Sequence, residues 1–123
     1  EKHKNSSDYF IDGAKVMLQS KTPLLAVLLG YFAMEHKANQ LLALHGYKVE
    51  SHICTQLGMS RIIARKDLAQ KLSSVFTERQ EIGYRLFSRE NKDEHAYSQT
   101  LVDKEILPFL EEVDNMIKNK QEK

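Results

Sequence analysis

Several polar side chains fall on stretches of the sequence that are otherwise apolar, and their types suit the chemistry of phosphate esters. These residues are Glu35, His36, His52, Arg79, Glu81 and Tyr84. Arg79 lies within an apolar stripe, four residues after Val75 and three before Ile82. Its charge must therefore find a partner or line a cleft. An arginine fork binds phosphate well, and a neighbouring histidine or tyrosine can move the proton that phosphodiester cleavage requires.

A purely structural interpretation of the same residues stays open. Arg79 could pair with a neighbouring carboxylate, and His36 or His52 could be an internal hydrogen-bonding group. Tyr84 could belong to the core and keep only its hydroxyl at the surface. Both interpretations place these side chains on helices, so the chemistry depends on which helices bring them together.

The sequence lacks the motifs of the common metal and nucleotide enzymes. No histidine has a glutamate three residues before it, as a di-iron bundle requires, and there is no His-Glu-x-x-His. His45, His52 and Cys54 do not have the two-by-two spacing of a zinc site. Walker, Gly-x-Gly-x-x-Gly and Gly-x-Ser-x-Gly motifs are absent. We therefore expect no metal and no cofactor.

The scaffold predicted for these residues is all-α, an antiparallel bundle of four to five helices. Only five glycines and two prolines occur in 123 residues, which leaves little turn material for a sheet. Residues 5–8 offer N-cap oxygens for a first helix over about 7–20. Thr22 and Pro23 begin a second helix that Gly46 ends. The second helix carries one apolar stripe, which marks it as the most buried helix: Val27, Tyr31, Met34, Ala38 and Leu41.

A short helix is predicted between the second and the fourth helices. Ser51 can cap it, and Gly58 is expected to interrupt it after residue 57. Regular apolar spacing then predicts a fourth helix over about 67–87.

The last predicted helix closes the bundle. Asn91 and Asp93 can cap it. Pro108 lies inside it and is expected to kink it, because proline has no N–H and crowds the carbonyl of Lys104. We expect residues 118–123 to fray.

The length predicts a single domain over 1–123, and the single cysteine indicates a reducing compartment, by default the cytoplasm. The single cysteine excludes an intrachain disulfide, and the apolar run at 24–34 is too short to span a bilayer. Net charge is +1, but residues 61–92 hold eight basic and four acidic side chains, and residues 93–123 hold four and eight. Complementary faces of two antiparallel helices explain this asymmetry, and a local phosphate-binding surface is the alternative.

Residues 30–42 (GYFAMEHKANQLL), with Gly46 and Ser51-His52 after them, resemble the second helix and following turn of small uncharacterised HEPN proteins. Residues 78–84 (ERQEIGY) look like the Arg-x-x-x-Asp-Tyr signature of that subfamily, with Gly83 in place of the aspartate. The resemblance continues into the closing helix with Ala96, Phe109 and Val113, so it covers about 80 residues in the same order. It implies a helical bundle, usually a homodimer with a shared cleft.

Many HEPN relatives are metal-independent ribonucleases that act as toxins, and others bind nucleotides or are paired with a minimal nucleotidyltransferase. Their signature is an arginine followed four to six residues later by histidine. Here Arg79 keeps the arginine, whereas Tyr84 and Arg85 stand where histidine is expected. Of the motif residues, only Arg79 has a matching position, and either His36 or His52 could replace the missing histidine if the fold brings it close. We therefore predict Arg79, Tyr84 and His52 as catalytic residues and His36, Glu81 and Arg85 as substrate-binding residues.

Three functions are consistent with these residues. The first is a HEPN toxin-like protein that binds RNA or a nucleotide and cleaves RNA without a metal, in a toxin–antitoxin pair. The second is a non-catalytic module that holds substrate for a partner nucleotidyltransferase. The third is a bundle that serves interactions only, with structural polar residues.

Overall fold

The computed structural model describes the backbone of residues 2–88 and 94–122 and the side chains of residues 6–82 and 94–122. Within these ranges the chain is an all-α helical bundle, as predicted, and no helix is long and apolar enough to cross a bilayer. The helices are α1 (Lys2–Leu18), α2 (Leu24–Leu44), α3 (His52–Arg61), α4 (Lys66–Ser88), α5 (Glu94–Leu101) and α6 (Leu107–Gln121). A π-helical segment, Val102–Ile106, joins α5 to α6, so these three form one continuous closing helix.

Helix α2 is the centre of the bundle, as its apolar stripe predicted. It contacts α1, α3, α4 and the closing helix. All five stripe residues are at most 1% exposed: Val27, Tyr31, Met34, Ala38 and Leu41. Burial of each large apolar side chain stabilises the fold by about 1.5–3 kcal/mol. The surrounding helices are therefore held at fixed positions around α2.

Helix α1 begins earlier than the sequence predicted, at Lys2 instead of about residue 7. Ser7 is buried inside the helix, and its hydroxyl donates a 2.9 Å hydrogen bond to the carbonyl of Ala33 on α2. The N-cap role predicted for residues 5–8 is therefore wrong. A polar first turn lacks apolar periodicity but can still be helical, which is why periodicity placed the start too late.

Helix α3 is longer than predicted because Gly58 does not interrupt it. Ser51 caps α3, as expected, by accepting a hydrogen bond from the N–H of Cys54. A Cβ at Gly58 would lie 2.8 Å from both methyl carbons of Leu42. The glycine therefore lets α3 approach α2 closely. Ala64, whose φ is +63°, lies in the connection between the end of α3 at Arg61 and the start of α4.

A π-helical segment lies just before Pro108, where the kink was expected. The N–H of Leu107 donates to the carbonyl of Val102, five residues earlier. Pro108 cannot donate to the carbonyl of Lys104, and this oxygen instead lies 3.4 Å from Nζ of Lys71 on α4. The predicted fraying is wrong as far as Gln121, where α6 ends, and the predicted caps Asn91 and Asp93 lie outside the described residues.

Ion pairs connect α4 and the residue before it to the closing helix. Arg65 pairs with Glu112 at 3.1 Å, and Lys71 pairs with Glu105 at 3.2 Å. These contacts support the interpretation of the charge asymmetry as two complementary helix faces. Surface pairs of this kind stabilise the fold by at most about 1 kcal/mol each.

Candidate functional site

The candidate site lies where α2, α3 and α4 meet, and its polar part is a network of Tyr31, Glu35 and His52. Tyr31 and Glu35 are four residues apart on α2, so they lie one turn above each other on the same face. The Tyr31 hydroxyl donates a 2.8 Å hydrogen bond to Oε2 of Glu35. His52 is the first residue of α3, and its Nδ1 bonds to the same carboxylate oxygen. Ser51 caps α3, so the start of the helix that positions His52 is fixed by this cap.

The electrostatics of this network assign the hydrogen-bonding roles. Burial raises the pKa of Tyr31, and the hydrogen bond to Glu35 and the charge of that carboxylate raise it further, while Arg79 opposes them. Tyr31 is therefore a donor at any ordinary pH. An ionised Glu35 can only accept, so Nδ1 of His52 must carry a hydrogen. Nε2 is then the ring nitrogen that remains available to a ligand, on a side chain that is 40% exposed.

Arg79 lies beside this network and contacts aromatic rings. Its guanidinium carbon is 5.5 Å from the ring centroids of Tyr31 and Phe76 and 5.3 Å from that of Phe32. Cation–π contacts of this kind contribute about 0.5–2 kcal/mol, depending on desolvation. Among the side chains of 6–82 and 94–122, none accepts a hydrogen bond from Arg79 or forms an ion pair with it. The carboxylate partner of the structural interpretation is therefore not found in this part of the chain.

Two predicted catalytic residues, Arg79 and His52, are brought together. The His52 ring lies 5.8 Å from the Tyr31 ring and 5.2 Å from the Phe76 ring, which are two of the three rings that Arg79 contacts. The imidazole and the guanidinium therefore both contact the rings of Tyr31 and Phe76. Residues more than 20 positions apart in the sequence meet here because α3 and α4 both pack on α2.

The other predicted site residues have different outcomes. His36 is partly exposed and stacks on Phe10, with ring centroids 5.5 Å apart and planes 18° apart. Glu81 is exposed and lies two residues after Arg79, about 200° around the helix, so it does not face the network. This position does not support the predicted substrate-binding role. The side chains of Tyr84 and Arg85 lie outside the described residues.

The sequence interpretation singled out Glu35 without giving it a role, and it did not name Tyr31 as a site residue. Tyr31 fitted the core stripe, and its ring is indeed buried. A buried tyrosine hydroxyl needs a partner, and Glu35 one turn later on an apolar helix supplies it. That i, i+4 pairing was the available signal. Phe32 and Phe76 carried no comparable signal, since an aromatic residue at helical spacing is an ordinary core residue.

Elsewhere on the described surface there are shallow concavities that do not include this network. One lies between α1, α2 and the closing helix, where Lys37 pairs with Asp114 at 3.4 Å. Others lie near Gly46 and near His45. No group of three or more His, Cys, Asp or Glu side chains within the described ranges could hold a metal ion.

Comparison of the chain with protein-family models, curated proteins and solved structures gives no match.

Proposed function

We propose that this protein is a HEPN-type RNA-binding protein that cleaves the RNA backbone without a metal ion. One observation carries the proposal. His52, held by Glu35, and Arg79 lie against the same two rings, those of Tyr31 and Phe76. A proton-transfer group and a phosphate ligand are the two groups that such a cleavage requires.

His52 supplies the proton transfer in this proposal. Its Nε2 accepts the proton of the RNA 2′-hydroxyl while the 2′-oxygen attacks the adjacent phosphorus. The bond from phosphorus to the 5′-oxygen breaks, and the imidazolium returns its proton to that oxygen. The products are a 2′,3′-cyclic phosphate and a 5′-hydroxyl. Glu35 stabilises the imidazolium, as the carboxylate of a catalytic triad does, and Tyr31 orients Glu35.

Arg79 stabilises the negative charge that develops on the phosphorane. The guanidinium has five N–H donors, and no described carboxylate occupies them. The contacts with three rings hold its position, so that its donors are already placed when charge develops. His52 takes the role of the HEPN motif histidine, whose position Tyr84 occupies. By the same resemblance, the protein is a homodimer whose partner is a minimal nucleotidyltransferase antitoxin, and its single cysteine favours the cytoplasm.

A second candidate is a non-catalytic module that holds RNA or a nucleotide for that nucleotidyltransferase. The observation that favours it is the aromatic surrounding of Arg79. Phe32 and Phe76 are only partly buried, and rings beside an arginine are typical of sites that stack bases and bind a phosphate. In this function His52 positions the ligand and transfers no proton.

The test is cleavage of a mixed, end-labelled RNA pool in EDTA by the purified protein and its His52→Ala and Arg79→Ala variants. Matched controls are His45→Ala and Arg61→Ala, which change exposed residues of the same types. Loss of His52 is expected to lower kcat about 10²–10⁴-fold, and loss of Arg79 about 10²–10³-fold. Circular dichroism establishes that each variant is folded.

The outcomes separate the three functions. Cleavage that depends on His52 and Arg79, with cyclic phosphate ends, supports the ribonuclease. An inactive protein that binds RNA and loses binding in the Arg79 variant supports the binding module. Absence of both cleavage and binding leaves the bundle that serves interactions only.

A further inference from the structure

A run of ring contacts leads away from the candidate site across α2 to α1. Phe32, which contacts Arg79, lies 5.3 Å from Phe10 between ring centroids. Phe10 in turn stacks on His36 and meets the edge of Tyr9 at 5.8 Å. Each step is within the usual range of aromatic contacts, about 4.5–7 Å. The three outer residues, Tyr9, Phe10 and His36, are called the α1–α2 ring cluster below.

Packing of α1 on α2 does not account for the whole cluster. Tyr9 is 76% exposed, and Phe10 and His36 are partly exposed. Large aromatic side chains are more often buried, and an exposed ring that joins others in a continuous cluster is typical of a recognition surface. Val16, two turns later on α1, is also exposed but has no aromatic ring, so it provides a comparison on the same helix.

The charge state of His36 suits stacking. Burial lowers the pKa of His36, and the neighbouring Glu35 carboxylate opposes this effect only in part. The imidazole is therefore neutral at pH 7. The rings of Phe10 and His36 are therefore stacked nearly parallel, and neither carries a hydrated charge.

We propose that the α1–α2 ring cluster is a stacking subsite for a base of single-stranded RNA whose backbone continues to Arg79. This inference rests on the proposed function and adds the form of its substrate. Sites that bind single-stranded nucleic acid combine two parts, aromatic side chains on which bases stack and positive charge that binds the backbone. In a duplex the faces of the bases are stacked on each other and cannot reach protein rings, so the subsite selects unpaired RNA.

The experiment measures binding by fluorescence anisotropy, with the folded His52→Ala variant as the background so that RNA stays intact. The probes are a labelled single-stranded RNA, the same RNA in a duplex, and an abasic ribose-phosphate oligomer of equal length. The abasic oligomer carries the same charge and no aromatic bases. Tyr9→Ala and His36→Ala are introduced separately, with Tyr9→Phe as the conservative variant and Val16→Ala as the matched control.

Each alanine variant is expected to weaken binding of the single strand about 5-fold to 100-fold, because one stacked base contributes in that range. Affinity for the abasic oligomer and for the duplex should not change in either alanine variant, because neither probe presents an unpaired base. Tyr9→Phe should retain the affinity, since the ring is kept. Val16→Ala should have no effect.

Three results would each overturn the subsite. The first is an equal loss of affinity for the single-stranded RNA and the abasic oligomer, and the second is an unchanged affinity for the single strand in both alanine variants. The third is that none of the probes binds. The proposed function is judged separately by cleavage in EDTA. Cleavage that needs Arg79, together with binding that ignores Tyr9 and His36, removes the subsite and keeps the ribonuclease. Ring-dependent binding without cleavage keeps the subsite and removes the ribonuclease.

Discussion

Replacing Tyr31 with phenylalanine removes one oxygen atom from the centre of the candidate site. The hydroxyl that is lost donates to Glu35 at 2.8 Å, whereas the contacts of the ring with Arg79 and Phe76 do not require it. Glu35 keeps its contact with His52. The variant therefore tests the hydrogen bond separately from the packing of the ring.

The expected cost follows from the surroundings of Glu35. A hydrogen bond to a charged group contributes about 1.5–3 kcal/mol, and the loss is larger where water cannot replace the donor. The Glu35 side chain is only 16% exposed, but His52 remains as a partner, so we expect a loss of about 2 kcal/mol in the free energy of unfolding. For a chain of this length that corresponds to a fall in Tm of about 8 °C.

Urea titration and thermal unfolding, both followed by circular dichroism, measure the loss. Tyr9→Phe is the matched control, because Tyr9 is 76% exposed and should lose less than about 0.5 kcal/mol. In a Glu35→Gln background Tyr31→Phe should cost at least about 1 kcal/mol less than in the wild type. A Tyr31→Phe variant as stable as the control, or equal costs in both backgrounds, would refute the assigned network.

Two further perturbations test the packing and the charges around α2. Gly30→Ala should lower the free energy of unfolding by about 0.5–2 kcal/mol, because its Cβ would lie 2.5 Å from Cδ1 of Ile106. Gly13→Ala is the control, because its Cβ would lie 3.3 Å from its nearest contact. The control variant should be neutral or stabilising in the same urea titration. Partial burial acts to raise the pKa of Asp114, but Lys37 and Lys118 outweigh it, so this pKa lies below its ordinary value. The carboxylate therefore stabilises the fold above about pH 4, and this contribution is lost as the pH falls through the folded-state pKa. Asp114→Asn should lose less stability than the wild type between pH 7 and pH 3, and an equal loss would contradict the assignment.

Much of the helical scaffold could be predicted from local sequence. The stripe on α2, the Ser51 cap and the short third helix followed from the spacing of apolar residues and from capping chemistry. These properties depend on neighbours within a few positions. The errors arose where a residue far along the chain decided the outcome. Gly58 stays helical because Leu42 packs against it, and Ser7 is buried because Ala33 accepts its hydroxyl.

The candidate site was predicted only in part. Arg79 could be named because a charge within an apolar stripe needs an explanation. His52 could be named only as one of two histidines, with His36, that could replace the missing motif histidine. The position of Glu81 relative to Arg79 could also be predicted, since two residues along a helix turn a side chain away from its neighbour. Tyr31 and Phe76 could not be named, because their spacing is that of any core residue.

By itself, therefore, the sequence determined which segments are helical, which helix is most buried and which polar residues need an explanation. Only the tertiary structure decided that Arg79 is surrounded by Tyr31, Phe32 and Phe76 and that Glu35 holds His52. The physical reason is the range of the interactions. Helix hydrogen bonds and apolar periodicity act over about four residues. The meeting of residues from α2, α3 and α4 depends on how the side chains of different helices fit together, which local sequence does not encode.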